Sequence, residues 1–191
     1  IKKNIVAIIP AVENMVSGSS YRPGDILVSM SGKTIEVLNT DAEGRVILAD
    51  ALTYAQKYYK PALIVDVATL TGAALVALGQ AASAIVTRHQ ELQNMLQDLG
   101  NRSGDFVWPL PSWDVYKEVL ESKRADIANV PQGQGRYGGA INGAMFLAAF
   151  VDEKQPWVHI DMAPRMTSIP SDNLASGATG EPVRLLVRIA E

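Results

Sequence analysis

The sequence predicts an α/β fold, a three-layer α/β/α arrangement around a mixed, mostly parallel sheet. The segment 62–68 has the length and the Ile, Val and Ala content of a buried strand, and 158–162 has the length of a second strand. Segments at 44–59 and 139–151 instead show the apolar spacing of helices. Strands that alternate with helices in this way are typical of a sheet covered on both faces.

The predicted strands are short apolar or alternating segments that end at turn residues. Pro10 closes the first of them, a segment rich in Ile and Val that we expect to be a buried strand. Ser31-Gly32-Lys33 separates the next two, which we expect to pair as a hairpin. The residues expected to form strands are 4–11, 25–31, 34–38, 62–68, 82–87, 126–130 and 158–162.

The predicted helices are segments in which apolar residues recur every three or four positions. Val46, Ala49 and Leu52 define the apolar face of the longest one, and Pro61 follows its end. Gly100 ends a second, amphipathic helix. The residues expected to be helical are 44–59, 73–78, 90–99, 114–120 and 139–151, and a last helix within 179–188 is expected to start near Glu181-Pro182.

Composition limits the classes of protein and of site. The 191 residues, 48% of them hydrophobic and 19% charged, predict a single globular domain at 1–191. The net charge is −3 without a long basic run, so a nucleic-acid partner is not expected. No apolar run reaches the length of a membrane span. With no cysteine and two histidines, a metal site would have mostly oxygen ligands.

The segment Asn39-Thr-Asp-Ala-Glu-Gly-Arg45 concentrates charged side chains. Asp41, Glu43 and Arg45 alternate, so an extended backbone would bring two carboxylates and a guanidinium to the same side. Such a group can hold a divalent metal and stabilise developing charge. The same residues also match an ordinary helix start, because Thr40-x-x-Glu43 is a capping box. Both interpretations are open from these residues alone.

Asn39-Thr-Asp-Ala-Glu-Gly-Arg45, with the residues that follow it, resembles the signature of the leucyl (cytosol) aminopeptidases, the M17 metallopeptidase family. Further motifs follow the family's order along nearly the whole chain. They are Pro10-Ala-Val-Glu-Asn-Met15, Tyr21-Arg-Pro-Gly-Asp25, Ser31-Gly-Lys-Thr-Ile-Glu-Val37, Ala68-Thr-Leu-Thr-Gly-Ala73, Ala125-Asp-Ile-Ala-Asn129, Gly138-Gly-Ala140, Trp157-Val-His-Ile-Asp-Met-Ala163 and Gly177-Ala-Thr-Gly180.

The resemblance implies a zinc-peptidase-like catalytic domain with two divalent metal ions, Mn or Zn and possibly Mg. Asp41 and Glu43 match two metal ligands, and Arg45 matches the residue that binds a bicarbonate thought to act as general base. The family's other ligands, two aspartates and a lysine, and a second lysine that stabilises the transition state lie upstream of Ile1. We therefore expect the chain to be the C-terminal part of the catalytic domain, incomplete at its N-terminal side and inactive alone.

The resemblance also implies the substrate, the assembly and the location. We expect cytoplasmic removal of N-terminal amino acids, leucine-like ones preferred, by a hexamer of two stacked trimers. Backbone groups of Leu70 and Gly72 would bind the peptide main chain. The residues that match substrate-binding positions are Asn39, Ala42, Thr69, Leu70, Gly72, Ala163 and Met166. Arg165 stands where the family is different, so it could change the side-chain preference.

Two other functions stay open at this stage. Gly133-x-Gly-x-x-Gly138 precedes a predicted helix and strand, and Asp161 lies 23 residues after Gly138, which is the outline of a nucleotide-binding oxidoreductase domain. Pro131 before the first glycine argues against it. The second possibility is a non-catalytic binding or assembly module. His159, alone on an apolar strand, is expected to be a core residue.

Overall fold

The computed structural model describes residues 1–133 and 137–191, and its strands and helices confirm the α/β class. The strands are β1 (Ile26–Val28), β2 (Thr34–Glu36), β3 (Ile64–Ala68), β4 (Ser83–Val86), β5 (Val107–Pro109), β6 (Ile127–Ala128) and β7 (Trp157–Asp161). The helices are α1 (Glu43–Tyr59), α2 (Gly72–Leu78), α3 (Gln90–Ser103), α4 (Val115–Glu118), α5 (Gly139–Ala148) and α6 (Val183–Ala190).

The strands form two sheets instead of one. The larger sheet has the order β3-β7-β4-β5, in which β3 pairs with β7 and β4 with β5 in parallel, while β4 and β7 are antiparallel. The smaller sheet has the order β1-β2-β6, with β1 and β2 antiparallel and β2 and β6 parallel. The predicted mixed, mostly parallel pairing is confirmed within the described residues.

Helices cover both faces of the larger sheet, as the three-layer prediction requires. All five residues of β7 are buried, and its apolar residues enter two opposite hydrophobic clusters, Trp157 one and Val158 and Ile160 the other. Trp157 packs on the side of α1 and α5 with Phe146 and Leu52. Val158 packs on the opposite side, with Leu96 of α3 and Leu185 of α6. The near-continuous apolar content of these strands follows from this double burial.

Helix α1 agrees with the prediction almost to the residue. Ala49 and Leu52 are buried on its inner face, and Lys60, in the left-handed region at φ 46°, ends it before Pro61. Helix α6 begins at Val183, close to the expected start near Glu181-Pro182, and Gly180 at φ 79° precedes it.

The predicted buried strand at 4–11 is wrong. These residues have no strand assignment, and Ile5 and Ile9 are 60% and 84% exposed. The segment has strand composition, but a strand also needs a pairing partner, and none of the described strands pairs with it. Conversely, β5 was not predicted, because Trp108-Pro109 is a poor strand pattern. Pro109 is tolerated there since β5 is the edge strand of its sheet.

Candidate active site

The candidate site forms where strands β3 and β7 end side by side. Ala68 and Asp161, their last residues, are partners in the parallel register. The chain then continues from β3 into the segment Thr69–Gly72, and from β7 into a 3-10 turn at Ala163–Arg165. The carboxyl ends of neighbouring parallel strands are where open α/β sheets commonly bind ligands. Two segments with predicted substrate-binding residues therefore start at the same edge.

The signature segment folds as a short 3-10 turn at Thr40–Ala42 that leads into α1. The segment is not extended; it is a helix start, as the second interpretation expects, but the capping box is absent, because Ala42, the N-cap of α1, makes no side-chain capping bond. Asn39 caps instead, because its Oδ1 accepts a hydrogen bond from the Asp41 N–H at 3.0 Å. This bond satisfies a free backbone donor and leaves the carboxylates of Asp41 and Glu43 free of that role.

The two carboxylates of the signature face different surroundings. Asp41 is exposed, whereas Glu43 is partly buried and accepts a hydrogen bond from Asn14 Nδ2 at 3.2 Å. Burial, with the nearby Glu43 carboxylate, raises the pKa of Tyr21, so Tyr21 also borders this side of the site. In the described ranges the ion pairs use neither Asp41 nor Glu43. Both remain available to a cation.

The donor set fits part of a metal site. Asp41 and Glu43 offer the hard oxygen ligands that divalent ions accept in proteins. Within residues 1–133 and 137–191, no group of three or more His, Asp or Glu side chains could hold a metal ion. Two carboxylates alone leave most of a coordination shell to water or to other ligands. The described residues thus supply only part of the ligands that a metal site needs.

Arg45, the last residue of the signature, is a buried cation. It is 7% exposed, and its Nη1 donates a hydrogen bond to the backbone oxygen of Asn129 at 2.8 Å. Its Nε is buried without a hydrogen-bond partner in the structure as described. Burial lowers the pKa of Arg45 to about 10, and the negative charge of Asp161 partly opposes this. The guanidinium therefore has donor capacity left for an anion.

Asn129 holds the start of the signature in place through hydrogen bonds. It was not predicted as a site residue. Its Oδ1 accepts hydrogen bonds from the Leu38 and Asn39 N–H groups at 2.8 and 3.3 Å, and its Nδ2 donates to the Asn39 oxygen at 2.6 Å. Through its own backbone oxygen it also binds Arg45. Asn129 is fully buried at the end of a short strand. A polar residue in an otherwise apolar strand was the signal that could have identified it.

Close packing around glycines brings the segment Thr69–Gly72 to the signature. A Cβ at Gly143 of α5 would lie 3.2 Å from Leu70 Cδ2 and 3.3 Å from Arg45 Nη2. A Cβ at Gly44 would lie 3.8 Å from Leu70 Cδ1. Leu70 therefore packs between α1 and α5, next to Arg45. The structure thus brings two of the predicted motifs, the signature and Ala68–Ala73, together beside α5.

Asp161 connects the segments on both sides of the strand ends. Its Oδ1 accepts hydrogen bonds from the Leu70 N–H at 3.0 Å and from the Ala163 N–H at 3.3 Å. Its Oδ2 accepts a bond from the Thr71 hydroxyl at 2.7 Å, and that hydroxyl caps α2 by accepting from the Ala74 N–H at 3.2 Å. Predicted substrate-binding residues on both segments are thus held by one carboxylate. Of these, Thr69, Gly72 and Met166 are exposed and Ala163 is buried.

His159 is buried, as expected, but it carries an ion pair. Its Nδ1 lies 2.5 Å from Asp66 Oδ1, and Trp157 Nε1 donates to Asp66 Oδ2 at 2.7 Å. Burial alone would lower the pKa of His159, yet the charge and hydrogen bond of Asp66 prevail and raise it. The Nε2 of His159 has no partner among the described residues. His159 lies two residues before Asp161 on β7, so both side chains leave the same face of the strand.

Arg165 does not extend into the site as a free side chain. It is 5% exposed, its Nε donates to Glu181 at 2.8 Å, and its Nη2 lies 3.1 Å from Asp172. Its Nη1 also donates to the backbone oxygen of Gln80. The guanidinium therefore holds the chain after the 3-10 turn against the end of α2. The expectation that Arg165 could change the side-chain preference gains no support from this geometry.

The topology argues against the nucleotide-binding alternative. A dinucleotide-binding unit needs parallel strands of the same sheet before and after the glycine-rich helix. Strand β6 pairs with β2 in the smaller sheet, whereas β7 lies in the larger one. Residues 134–136, which belong to the Gly133–Gly138 motif, lie outside the described residues.

Comparison with known proteins identifies a family. The model of the cytosol aminopeptidase family, catalytic domain, matches residues 1–187. A probable cytosol aminopeptidase of Azoarcus sp. (strain BH72) is 52% identical over 183 residues, which are 96% of this chain and 35% of that protein. One of Xylella fastidiosa (strain M12) is 50% identical over 185 residues, 97% of this chain and 36% of that protein.

Solved structures give the same result. A structure of a tomato leucine aminopeptidase mutant, K354E, superposes with a TM-score of 0.83 at 44% identity, and covers 92% of this chain and 33% of that one. The chain thus spans little more than a third of the relatives that it matches. None of the helices in the described ranges is long and apolar enough to cross a membrane. By sequence and by fold, the chain belongs to the cytosol aminopeptidase family, through that family's catalytic domain.

Proposed function

We propose that the chain is the C-terminal part of the catalytic domain of a dinuclear metal-dependent aminopeptidase. The parent enzyme removes N-terminal residues, leucine-like ones preferred, from peptides in the cytoplasm. The observation that carries the proposal is the arrangement of the signature: two carboxylates without ion pairs among the described residues, and a buried arginine that borders Gly143 together with Leu70. Relatives named cytosol aminopeptidases support the same reaction class and the same location.

Asp41 and Glu43 are the proposed metal ligands of this chain. A pair of divalent ions, Mn or Zn and possibly Mg, would polarise the scissile carbonyl and activate the attacking water. Further ligands, and a lysine that stabilises the transition state, would come from the rest of the catalytic domain. The exposure of Asp41 and the weak single contact of Glu43 support this assignment.

Arg45 is the proposed binding residue for bicarbonate. Its planar guanidinium can donate two parallel hydrogen bonds to a planar anion, which lysine cannot do. Burial without an ion pair in the described structure leaves its positive charge uncompensated at short range. A bound bicarbonate would offset that charge and could accept a proton from the attacking water.

The peptide would lie along the carboxyl ends of β3 and β7. Backbone groups of Leu70 and Gly72, with Asn39, would hold its main chain. The side-chain pocket would be walled by Thr69, Ala42, Ala163 and Met166. The exposed positions of Thr69, Gly72 and Met166 and the shared anchor of both segments on Asp161 support this placement.

We also propose that the parent enzyme is a hexamer. The described surface carries large apolar side chains, among them Val76, Trp108 and Trp113 at 88%, 58% and 67% exposure. Exposed apolar groups of this size favour association with another protein surface.

The proposal is tested by hydrolysis with the complete parent protein. The wild type should release leucine from leucine amide and leucyl peptides with millimolar manganese or zinc. Glu43→Gln removes a charged ligand at nearly constant size, so kcat should fall by about 10²-fold or more and metal content should decrease. Near-normal kcat for Glu43→Gln at saturating metal would refute the ligand assignment. An inactive wild type would instead favour the non-catalytic binding or assembly module.

A further inference from the structure

Asp161 has a set of contacts that the proposed function does not explain. Its three hydrogen-bond donors are Leu70, Thr71 and Ala163, which lie in or beside the two segments proposed to bind the peptide. The side chain is 1% exposed, so it has no room to contact substrate or bulk water itself. Asp161 can therefore affect substrate binding only through the two segments that it holds in place.

The charge of Asp161 is unusual for a purely structural anchor. In the described residues Asp161 forms no ion pair, and its negative charge is stabilised by two N–H groups and one hydroxyl. A neutral acceptor could hold one loop at a lower desolvation cost. A carboxylate, however, can accept several bonds at once, and charged acceptors bind N–H groups more strongly. Both properties suit a residue that must fix two segments relative to each other.

Asp105 is another buried carboxylate that holds backbone, outside the site, although it also forms an ion pair with Arg184 at 2.6 Å. It is equally buried, at 1% exposure, and accepts hydrogen bonds from Leu185 N–H at 2.9 Å and from Arg184 Nε at 2.7 Å. It fixes the start of α6 far along the sheet from β3 and β7. Asp105 therefore provides a matched comparison for the loss of a buried carboxylate outside the site.

We propose that Asp161 is a positioning residue for peptide binding. It presets Thr69–Gly72 and the turn at Ala163 so that the backbone groups of Leu70 and Gly72 meet the substrate without reordering. The inference rests on the proposed function, because it assumes that these segments bind the peptide. A preset segment avoids an ordering cost on binding, so the loss of Asp161 should weaken substrate binding more than the chemical step.

The main variant is Asp161→Asn in the complete parent enzyme. The amide keeps the size of the carboxylate but turns one acceptor into a donor, which would face the donors of Thr71 or Leu70. We expect KM for leucyl peptides to rise about tenfold, which corresponds to about 1.4 kcal/mol, with kcat changed much less. Thr71→Val should raise KM similarly, while Thr71→Ser keeps the hydroxyl and should restore near-normal KM.

Hydrogen–deuterium exchange gives a readout that does not depend on activity. Asp161→Asn should speed amide exchange in peptides that cover residues 69–74 and 162–167, because two anchored backbone segments open more easily. Asp105→Asn should speed exchange around 183–186, lower thermal stability and leave KM unchanged. This contrast separates local positioning from a general loss of stability.

The outcomes discriminate between the two proposals. Hydrolysis by the wild type, together with raised KM and faster local exchange in Asp161→Asn, supports the inference. An active wild type with unchanged KM in Asp161→Asn overturns it, whether or not exchange changes. Equal KM changes in Asp161→Asn and Asp105→Asn also overturn it, since the effect would then be global. A wild type without peptidase activity overturns the proposed function itself, and is recognised before any variant is compared.

Discussion

Arg45→Lys separates the anion-binding role of the residue from its positive charge. Lysine keeps a cation of similar reach but loses the planar fork that can bind bicarbonate through two hydrogen bonds. The hydrogen bond from Nη1 to the Asn129 oxygen, 2.8 Å long and buried, is lost or weakened with it. We therefore expect the variant to keep its metal ions and to lose catalysis.

The structure gives the scale of the effect. Burial lowers the pKa of Arg45 well below the ordinary arginine value, to about 10. At about 1.4 kcal/mol per pKa unit, the buried charge costs on the order of 3 kcal/mol. With a pKa of about 10 the guanidinium stays charged at neutral pH, and its Nε, buried without a hydrogen-bond partner among the described residues, leaves it able to bind an anion. A lysine starts from a reference pKa of about 10.4 and would lose its charge at lower pH than arginine does.

The assay is peptide hydrolysis by the complete enzyme, with metal content measured in parallel. For Arg45→Lys we expect kcat to fall by about 10²–10³-fold, as for other charge-stabilising groups, with unchanged metal and partial recovery at high bicarbonate. The decrease in kcat should become larger as the pH rises, because lysine loses its charge at lower pH than arginine does. Arg88→Lys is the control, because Arg88 is also partly buried and donates to the backbone oxygens of Ala148 and Val151, outside the site. Parallel loss of metal and activity in Arg45→Lys would refute the anion role.

Three further predictions concern stability and completeness. Gly139→Ala should cost about 1–3 kcal/mol in urea unfolding, because its Cβ would lie 2.8 Å from Ala73 Cβ, and Gly18→Ala, in open space, should be neutral. The His159 ion pair should stabilise the fold fully below the unfolded pKa of about 6.5, and this stabilisation should be lost as the pH rises through the raised folded pKa. Asp66→Asn should abolish this pH dependence of the unfolding free energy in denaturant titrations from about pH 6 to about pH 9. An unchanged pH dependence in Asp66→Asn would contradict the prediction. Residues 1–191 alone should bind metal weakly, self-associate and hydrolyse no leucine anilide; turnover abolished by Asp41→Ala would contradict this.

Periodicity predicted the elements that bury a continuous apolar face. Helix α1 and strands β3 and β7 agree with the sequence because their apolar residues recur at one clear period or fill the whole segment. Residues 4–11 show the limit of this reasoning, since composition alone cannot supply a pairing partner. The helix start in 39–45 was one of the two interpretations, but its cap was missed, because a single side-chain bond from Asn39 forms it.

The candidate site was predictable in its charged residues but not in its supports. Asp41, Glu43 and Arg45 stand together in the sequence, so their pattern is visible without coordinates. Asn129 and Asp161 act through contacts that are 84 to 91 positions apart in the chain. Such contacts depend on which strands become neighbours, and no local pattern records that.

The central claim is that Asp41 and Glu43 bind the catalytic metal ions, and anomalous diffraction tests it most directly. Crystals of the complete enzyme grown with zinc or manganese would locate the ions independently of any assay. We predict two anomalous peaks beside the signature, with carboxylate oxygens of Asp41 and Glu43 about 2.0–2.2 Å from an ion. Ions bound elsewhere, with both carboxylates in contact with water only, would contradict the account.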